Sequence, residues 1–172
     1  MTWEEQFARV VYQGGHSIFF DRFVQAVNVH TLVIVSPWVQ TLQGESMSLV
    51  DIIRSIEQKK APTTVVMRDP KREPLNKDAD ALFRDCPYVS LYYNNDLHAK
   101  IYVCRCEPFG FALLGSANLS GHAIRALEIG LLIEGKGAGG DIVEELERLG
   151  RDDIPNRSGS SLSQLAQRRR FG

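Results

Sequence analysis

The sequence lacks the features that would mark a membrane, secreted or metal-scaffolded protein. Its longest apolar stretches, Thr31 to Val35 and Ile129 to Ile133, fall far short of the roughly 20 residues that span a bilayer, so no transmembrane helix is expected. It opens on Met1-Thr-Trp-Glu-Glu-Gln6, acidic and polar where a secretory leader is basic and then apolar. That start points to a cytoplasmic protein. The three cysteines, Cys86, Cys104 and Cys106, are odd in number, and Cys104 and Cys106 would share one strand face, which suits reduced thiols and not a disulfide framework. No second Cys/His pair stands at a metal-ligand spacing from Cys104-x-Cys106, so neither a structural metal nor a cofactor is expected. A formal net charge of −1 removes any chain-wide attraction to polyanions, and a nucleic-acid partner would need a local basic surface. Arg168-Arg-Arg170 reads as part of a solvated, frayed end.

What is present fits one globular domain: 172 residues, 44% hydrophobic and 24% charged, are enough to bury a sizeable core. Trp3, Phe7, Val10 and Val11 recur at helical spacing. Ile18, Phe19, Phe23, Val24 and Val27 repeat that pattern after Gly14-Gly15, with Ser17 as N-cap, so two short helices are predicted to open the chain. The β-branched run Thr31 to Ser36, ended by Pro37, predicts a central strand buried on both faces. An amphipathic helix over 46–60 and a strand over 63–67 complete a strand-helix-strand unit. A polar loop over 68–74, a helix over 79–85 and strands over 88–92, 97–103, 111–114 and 129–133 follow. Gly135 to Gly140 reads as a breaker-rich linker before a helix over 142–149. The alternation predicts an α/β fold, a mixed β-sheet sandwiched by helices, in a domain over 1–150 with a polar, flexible tail over 151–172.

Chemistry concentrates late in the chain. In a strand over Leu97-His-Ala-Lys-Ile-Tyr-Val103, side chains alternate: Leu97, Ala99, Ile101 and Val103 take one face, His98, Lys100 and Tyr102 the other. A titratable imidazole beside a lasting cation suits nucleophilic attack on an anionic phosphodiester. A solvated sheet face carrying the same two residues is the plain alternative. Downstream, Gly115-Ser-Ala-Asn118 would let backbone approach a ligand at Gly115 and place the polar groups of Ser116 and Asn118 on phosphate oxygens. Taken alone it is also an ordinary strand-to-helix turn. Glu128 follows.

Together these residues resemble the phospholipase D superfamily, whose signature is His-x-Lys, then Gly-Ser-x-Asn, then an acidic residue. The resemblance extends to Val33-Ile-Val-Ser-Pro-Trp38, Val65-Val-Met-Arg-Asp-Pro70 and Leu127-Glu-Ile-Gly-Leu-Leu132, and so covers about residues 33–133. It implies roles: His98 as the nucleophile forming a phosphohistidine, Lys100, Gly115, Ser116 and Asn118 as the phosphate-binding set, and Glu128 as the group orienting an imidazole. It implies no metal. One position departs, since the family often has an aspartate five residues after the lysine and this chain has Arg105.

A second histidine must protonate the leaving oxygen, yet the chain has one His-x-Lys. Single-copy members of the family pair two chains, so the resemblance implies a homodimer with one composite site. It points to an endonuclease cleaving DNA or RNA, with a helicase or other DNA-processing or defence protein as a conceivable partner and no membrane. Two alternatives stand beside it: a phospholipid phosphodiesterase or transferase, and a non-catalytic nucleic-acid-binding subunit.

Overall fold

Seven strands form one mixed sheet, in the order β1-β7-β6-β5-β2-β3-β4. The strands are β1 (Phe7–Tyr12), β2 (Val29–Val35), β3 (Thr63–Met67), β4 (Val89–Tyr93), β5 (Ile101–Cys106), β6 (Phe109–Gly115) and β7 (Ile129–Lys136). The helices are α1 (Gly15–Gln25), α2 (Leu49–Lys59), α3 (Lys77–Asp85) and α4 (Ile142–Arg148). The last continues into a π-helical turn, Leu149–Asp153, and a short helical turn, Ile154–Asn156. This computed structural model describes residues 7–12, 14–41, 47–120, 127–136 and 142–156. The architecture is the expected α/β sandwich, and among the described residues no helix is long and apolar enough to cross a membrane.

Alternation along the central strands builds a core on each side of the sheet. Leu32 and Ile34 of β2 join Phe19, Phe20 and Phe23 of α1, Ile52 and Ile56 of α2, and Phe83 of α3. Val33 and Val35 turn the other way, to Val103, Ala112, and Val143 and Leu146 of α4. The unbroken burial of Thr31 to Val35 is why β2 reads as a continuous apolar run. It pairs parallel with β3 and antiparallel with β5. Gly150 presses the C-terminal helical turn onto β2, where an added Cβ would lie 2.6 Å from Val33 Cγ1. These turns cross residue 150 and run on to Asn156, while 157–172, with the arginine run, lie outside the described residues.

Several local expectations are corrected. Residues 7–12 form β1, not a helix, in register with β7 (Val10 opposite Leu131, Tyr12 opposite Ile129). β-branched Val10 and Val11 suit that pairing, and their apolar spacing, too short to separate the two periods, serves a strand edge. Trp3 lies outside the described residues. Helix α1 starts two residues before Ser17. Its N-cap is Gly14, at φ 63°, a left-handed conformation that glycine adopts without steric cost. The N-cap of α2 is Ser48, whose hydroxyl accepts from Asp51 N while Asp51 Oδ2 accepts from Ser48 N, a capping box. Gly135 and Lys136 are strand, not linker. β5 begins at Ile101, so His98 and Lys100 precede it. The alternation still holds: Leu97, Ile101 and Val103 are buried together with Ala99 against them, and Tyr102 faces the opposite core. The cysteines are free thiols, and Cys104 and Cys106 lie on the same side.

Candidate active site

The pairing pattern sets the directions of the strands. β2, β3 and β6 run one way; β5 and β7 run the other. The segments leaving β3, β2 and β6 and those leading into β5 and β7 therefore meet at one end of the sheet, across five adjacent strands. Arg68 follows β3, Trp38 follows β2, His98 and Lys100 precede β5, Gly115 to Asn118 follow β6, and Glu128 precedes β7. Strand ends at a point where connections diverge are where open α/β sheets bind ligands.

The two motifs touch through backbone. Gly115 N donates to Lys100 O at 3.4 Å, one step beyond the Ile101–Leu114 pair. Gly115 is needed for close approach, because a Cβ there would lie 2.6 Å from Ile129 O and 2.9 Å from Gly130 Cα. Ser116 N donates to Ile129 O at 3.1 Å, and Ser116 Oγ accepts from Ile129 N at 3.2 Å and donates to Glu128 Oε2. Beyond it, Tyr102 OH donates to Ala117 O at 2.9 Å and Leu119 N donates to Ser36 Oγ at 3.1 Å. The Gly-Ser-Ala-Asn turn is thus held by β2, β5 and β7 at once. Asn118 keeps its Oδ1 buried without a hydrogen-bond partner among the described residues, polar capacity that usually has a reason where it persists.

His98 is exposed and Lys100 half-buried. The Nε2 of His98 lies 3.2 Å from Arg68 Nη2. Arg68 also donates from Nε to Leu97 O at 3.1 Å, and its guanidinium lies 4.6 Å above the Trp38 ring. Lys100 Nζ is 6.0 Å from the same ring. An imidazole against one cation, with a second cation over the same aromatic face, is a place for an anion. Glu128, half-buried, bonds to Ser116 and, among the described residues, to no imidazole.

Sequence reasoning passed over three residues here. Arg68 and Trp38 stood in the framework segments without a role. Asn76, wholly buried, donates from Nδ2 to Pro37 O and Arg68 O, both at 2.9 Å, and its Oδ1 accepts from Val39 N at 2.9 Å. It stitches the Trp38 loop to the Arg68 loop. An asparagine in a polar segment carries no sequence signal of such a contact. A fourth, His16, sits in α1 with both ring nitrogens buried and unpartnered among the described residues. Burial lowers its pKa below the usual histidine value, against an opposing pull from Glu128.

Arg105 lies at the far end of β5 from Lys100, five residues or about 16 Å along an extended chain. There it pairs with Glu147 at 3.7 Å and Glu144 at 3.9 Å on α4. Arg105 therefore serves helix docking, at the opposite end of β5 from His98 and Lys100.

No protein-family model matches the sequence, and no curated protein matches it. Solved structures do. A phospholipase D family member, Nuc from Salmonella typhimurium, superposes with a TM-score of 0.61 at 12% identity, over 88% of this chain and 95% of that one. The chain has the phospholipase D fold. NucT from Helicobacter pylori aligns with a TM-score of 0.59 at 13% identity, over 84% of this chain and 91% of that one. Phosphatidylserine synthase from Haemophilus influenzae aligns at 0.52 and 16% identity, over 76% of this chain and 35% of that one. At such identities the likeness is one of fold.

Proposed function

We propose that this protein is a phosphodiesterase that cleaves nucleic acid through a phosphohistidine on His98, with two copies of the chain completing one site. The observation that carries the reading is the cluster of His98, Lys100, Arg68 and Trp38 beside the Gly115 to Asn118 turn, at the end of the sheet. Its chemistry fits a phosphodiester. A ring nitrogen of His98 gives its lone pair to phosphorus, the bond from phosphorus to the leaving oxygen breaks, and that oxygen takes a proton from the His98 of a second copy. Water then attacks phosphorus, the P–N bond breaks, and the second imidazole recovers the water's proton. Lys100 and the Asn118 amide stabilise the charge gathering on the phosphoryl oxygens, while Ser116 holds Glu128 in place. Written so, the sequence of steps calls on no metal.

A second copy has a place to sit. Val10, Tyr12, Leu127, Ile129 and Leu131 are exposed, and Val10–Leu131 and Tyr12–Ile129 are cross-strand pairs next to Glu128. Exposed apolar patches of this kind mark interaction sites. The exposed Lys71 and Arg72 continue the positive charge from Arg68 and favour a polyanion as substrate. The same apolar pairs give a phospholipid substrate its one supporting observation, because a lipid-acting enzyme needs an apolar approach to its site.

The test is incubation of the protein with labelled single- and double-stranded DNA, RNA and phosphatidylcholine vesicles in excess chelator, beside His98→Ala. Nucleic-acid cleavage that survives chelation and is lost in His98→Ala is the expected result. Cleavage of vesicles alone would install the lipid reading; binding of nucleic acid without turnover would leave a non-catalytic subunit. Tyr12→Asp should convert a dimer to monomer in sedimentation and take cleavage with it. A wild-type monomer with full activity would overturn the composite site.

A further inference from the structure

A nucleophilic histidine needs one ring nitrogen free of its proton and aimed at the substrate, and Arg68 bears on that requirement. A guanidinium carries only N–H donors and does not lose its proton in proteins. In the 3.2 Å contact between Arg68 Nη2 and His98 Nε2, arginine is therefore the donor and Nε2 the acceptor. Nε2 holds a lone pair, and the neutral ring carries its hydrogen on Nδ1. A neutral histidine in water prefers the opposite tautomer, and in proteins the partner of one nitrogen sets the state of the other.

Arg68 is not free to follow the ring. Its Nε is bonded to Leu97 O, the carbonyl just before His98, and its plane lies on Trp38. Glu73 Oε2 stands 3.8 Å from Nη1, and 18% of the Arg68 side chain is exposed. Asn76 holds the backbone beneath both the cation and the ring it lies on. Three contacts fix the guanidinium and Asn76 fixes its backbone, and the imidazole, the exposed partner, adapts to it.

We infer that Arg68 is a positioning residue that holds His98 in the Nδ1–H tautomer, and that its Nη2 passes from Nε2 to a phosphoryl oxygen when substrate arrives. That exchange moves no proton. It frees the Nε2 lone pair at the moment a phosphorus atom comes within reach, and it adds a bidentate-capable donor to the site. The tautomer assignment rests on geometry alone; the exchange rests on the phosphodiesterase reading above.

The experiment is a long-range 1H–15N correlation spectrum of uniformly labelled protein at about pH 8, where a histidine of ordinary pKa is neutral, with His98 assigned by its loss in His98→Ala. Wild type should show His98 as Nδ1–H. Arg68→Met should move it toward Nε2–H, and Arg68→Lys, which keeps charge on the Trp38 ring but loses the fork, should move it part of the way. Cleavage of bis(p-nitrophenyl) phosphate is read on the same samples, with kcat expected to fall about 100-fold in Arg68→Met, the scale for loss of one aimed donor. An Nε2–H signal in wild type, or one unmoved in both Arg68 variants, overturns the inference whether or not the protein is active. A tautomer shift in a protein that cleaves nothing keeps the positioning role and removes the phosphodiesterase reading.

Discussion

The Ser116 hydroxyl donates to the Glu128 carboxylate while accepting from the backbone N–H of Ile129, so one side chain ties the end of β6 to the start of β7. Glu128 is thereby fixed in place before any substrate arrives. Replacing Ser116 by alanine removes both bonds and leaves Glu128 to solvent. The expected cost in stability is about 1 kcal/mol, while cleavage should fall more steeply, roughly 10- to 100-fold, since a misplaced group costs most in the transition state. Urea midpoints and steady-state rates on the same preparation check the split.

Gly115 faces backbone on both sides of its missing side chain, with Ile129 O at 2.6 Å and Gly130 Cα at 2.9 Å from where a Cβ would stand. Neither obstacle can rotate away. Gly115→Ala should destabilise by about 2 kcal/mol and, by parting β6 from β7, abolish cleavage. A folded, active Gly115→Ala protein with an unchanged urea midpoint would contradict the close approach.

Arg105 should matter to stability and not to chemistry. Its ion pairs with Glu147 and Glu144 join β5 to α4, and burial already raises the pKa of Glu147 while Arg105 and Arg151 act to lower it. Arg105→Ala should cost about 2 kcal/mol, less than breaking a fully buried pair because Glu144 is half exposed. Arg105→Asp should cost more because it brings a third carboxylate beside Glu144 and Glu147. Rates per folded molecule should stay within about twofold in Arg105→Ala.

His16 should make the fold sensitive to acid. Its pKa in the folded protein is lowered, chiefly by burial, so below the ordinary histidine value of about 6.5 the unfolded chain binds a proton that the folded one refuses. Stability from this residue is whole above that pH, declines as pH falls through it, and levels off once pH drops below the folded-state value. His16→Leu should flatten urea midpoints across that window. An identical slope in wild type and variant would assign the acid sensitivity elsewhere.

Much of the fold was legible because it is written in local periodicity. The unbroken run at Thr31 to Val35 gives a central strand, and the Met47, Leu49, Val50, Ile53 and Ile56 spacing gives α2. The edge was not: Phe7, Val10 and Val11 fit either period over so few residues, and only pairing with β7 selects a strand. The extended segment at His98 and Lys100 kept its alternation without sheet pairing, so the face assignment held although the strand began later. Arg68, Trp38 and Asn76 were invisible as a group, because residues 8 to 38 apart in separate loops share no spacing rule.

The sequence by itself determined the α/β alternation and singled out the residues proposed to carry the chemistry, His98, Lys100, Ser116, Asn118 and Glu128. Only the tertiary structure decided what stands beside them. Sheet order and strand direction bring the ends of β3 and β2 against the start of β5, and so set an arginine against the histidine's Nε2 and a tryptophan beneath two cations. The physical reason is that periodicity records which face a residue presents, whereas the neighbour across a strand end depends on pairings between segments far apart in the chain.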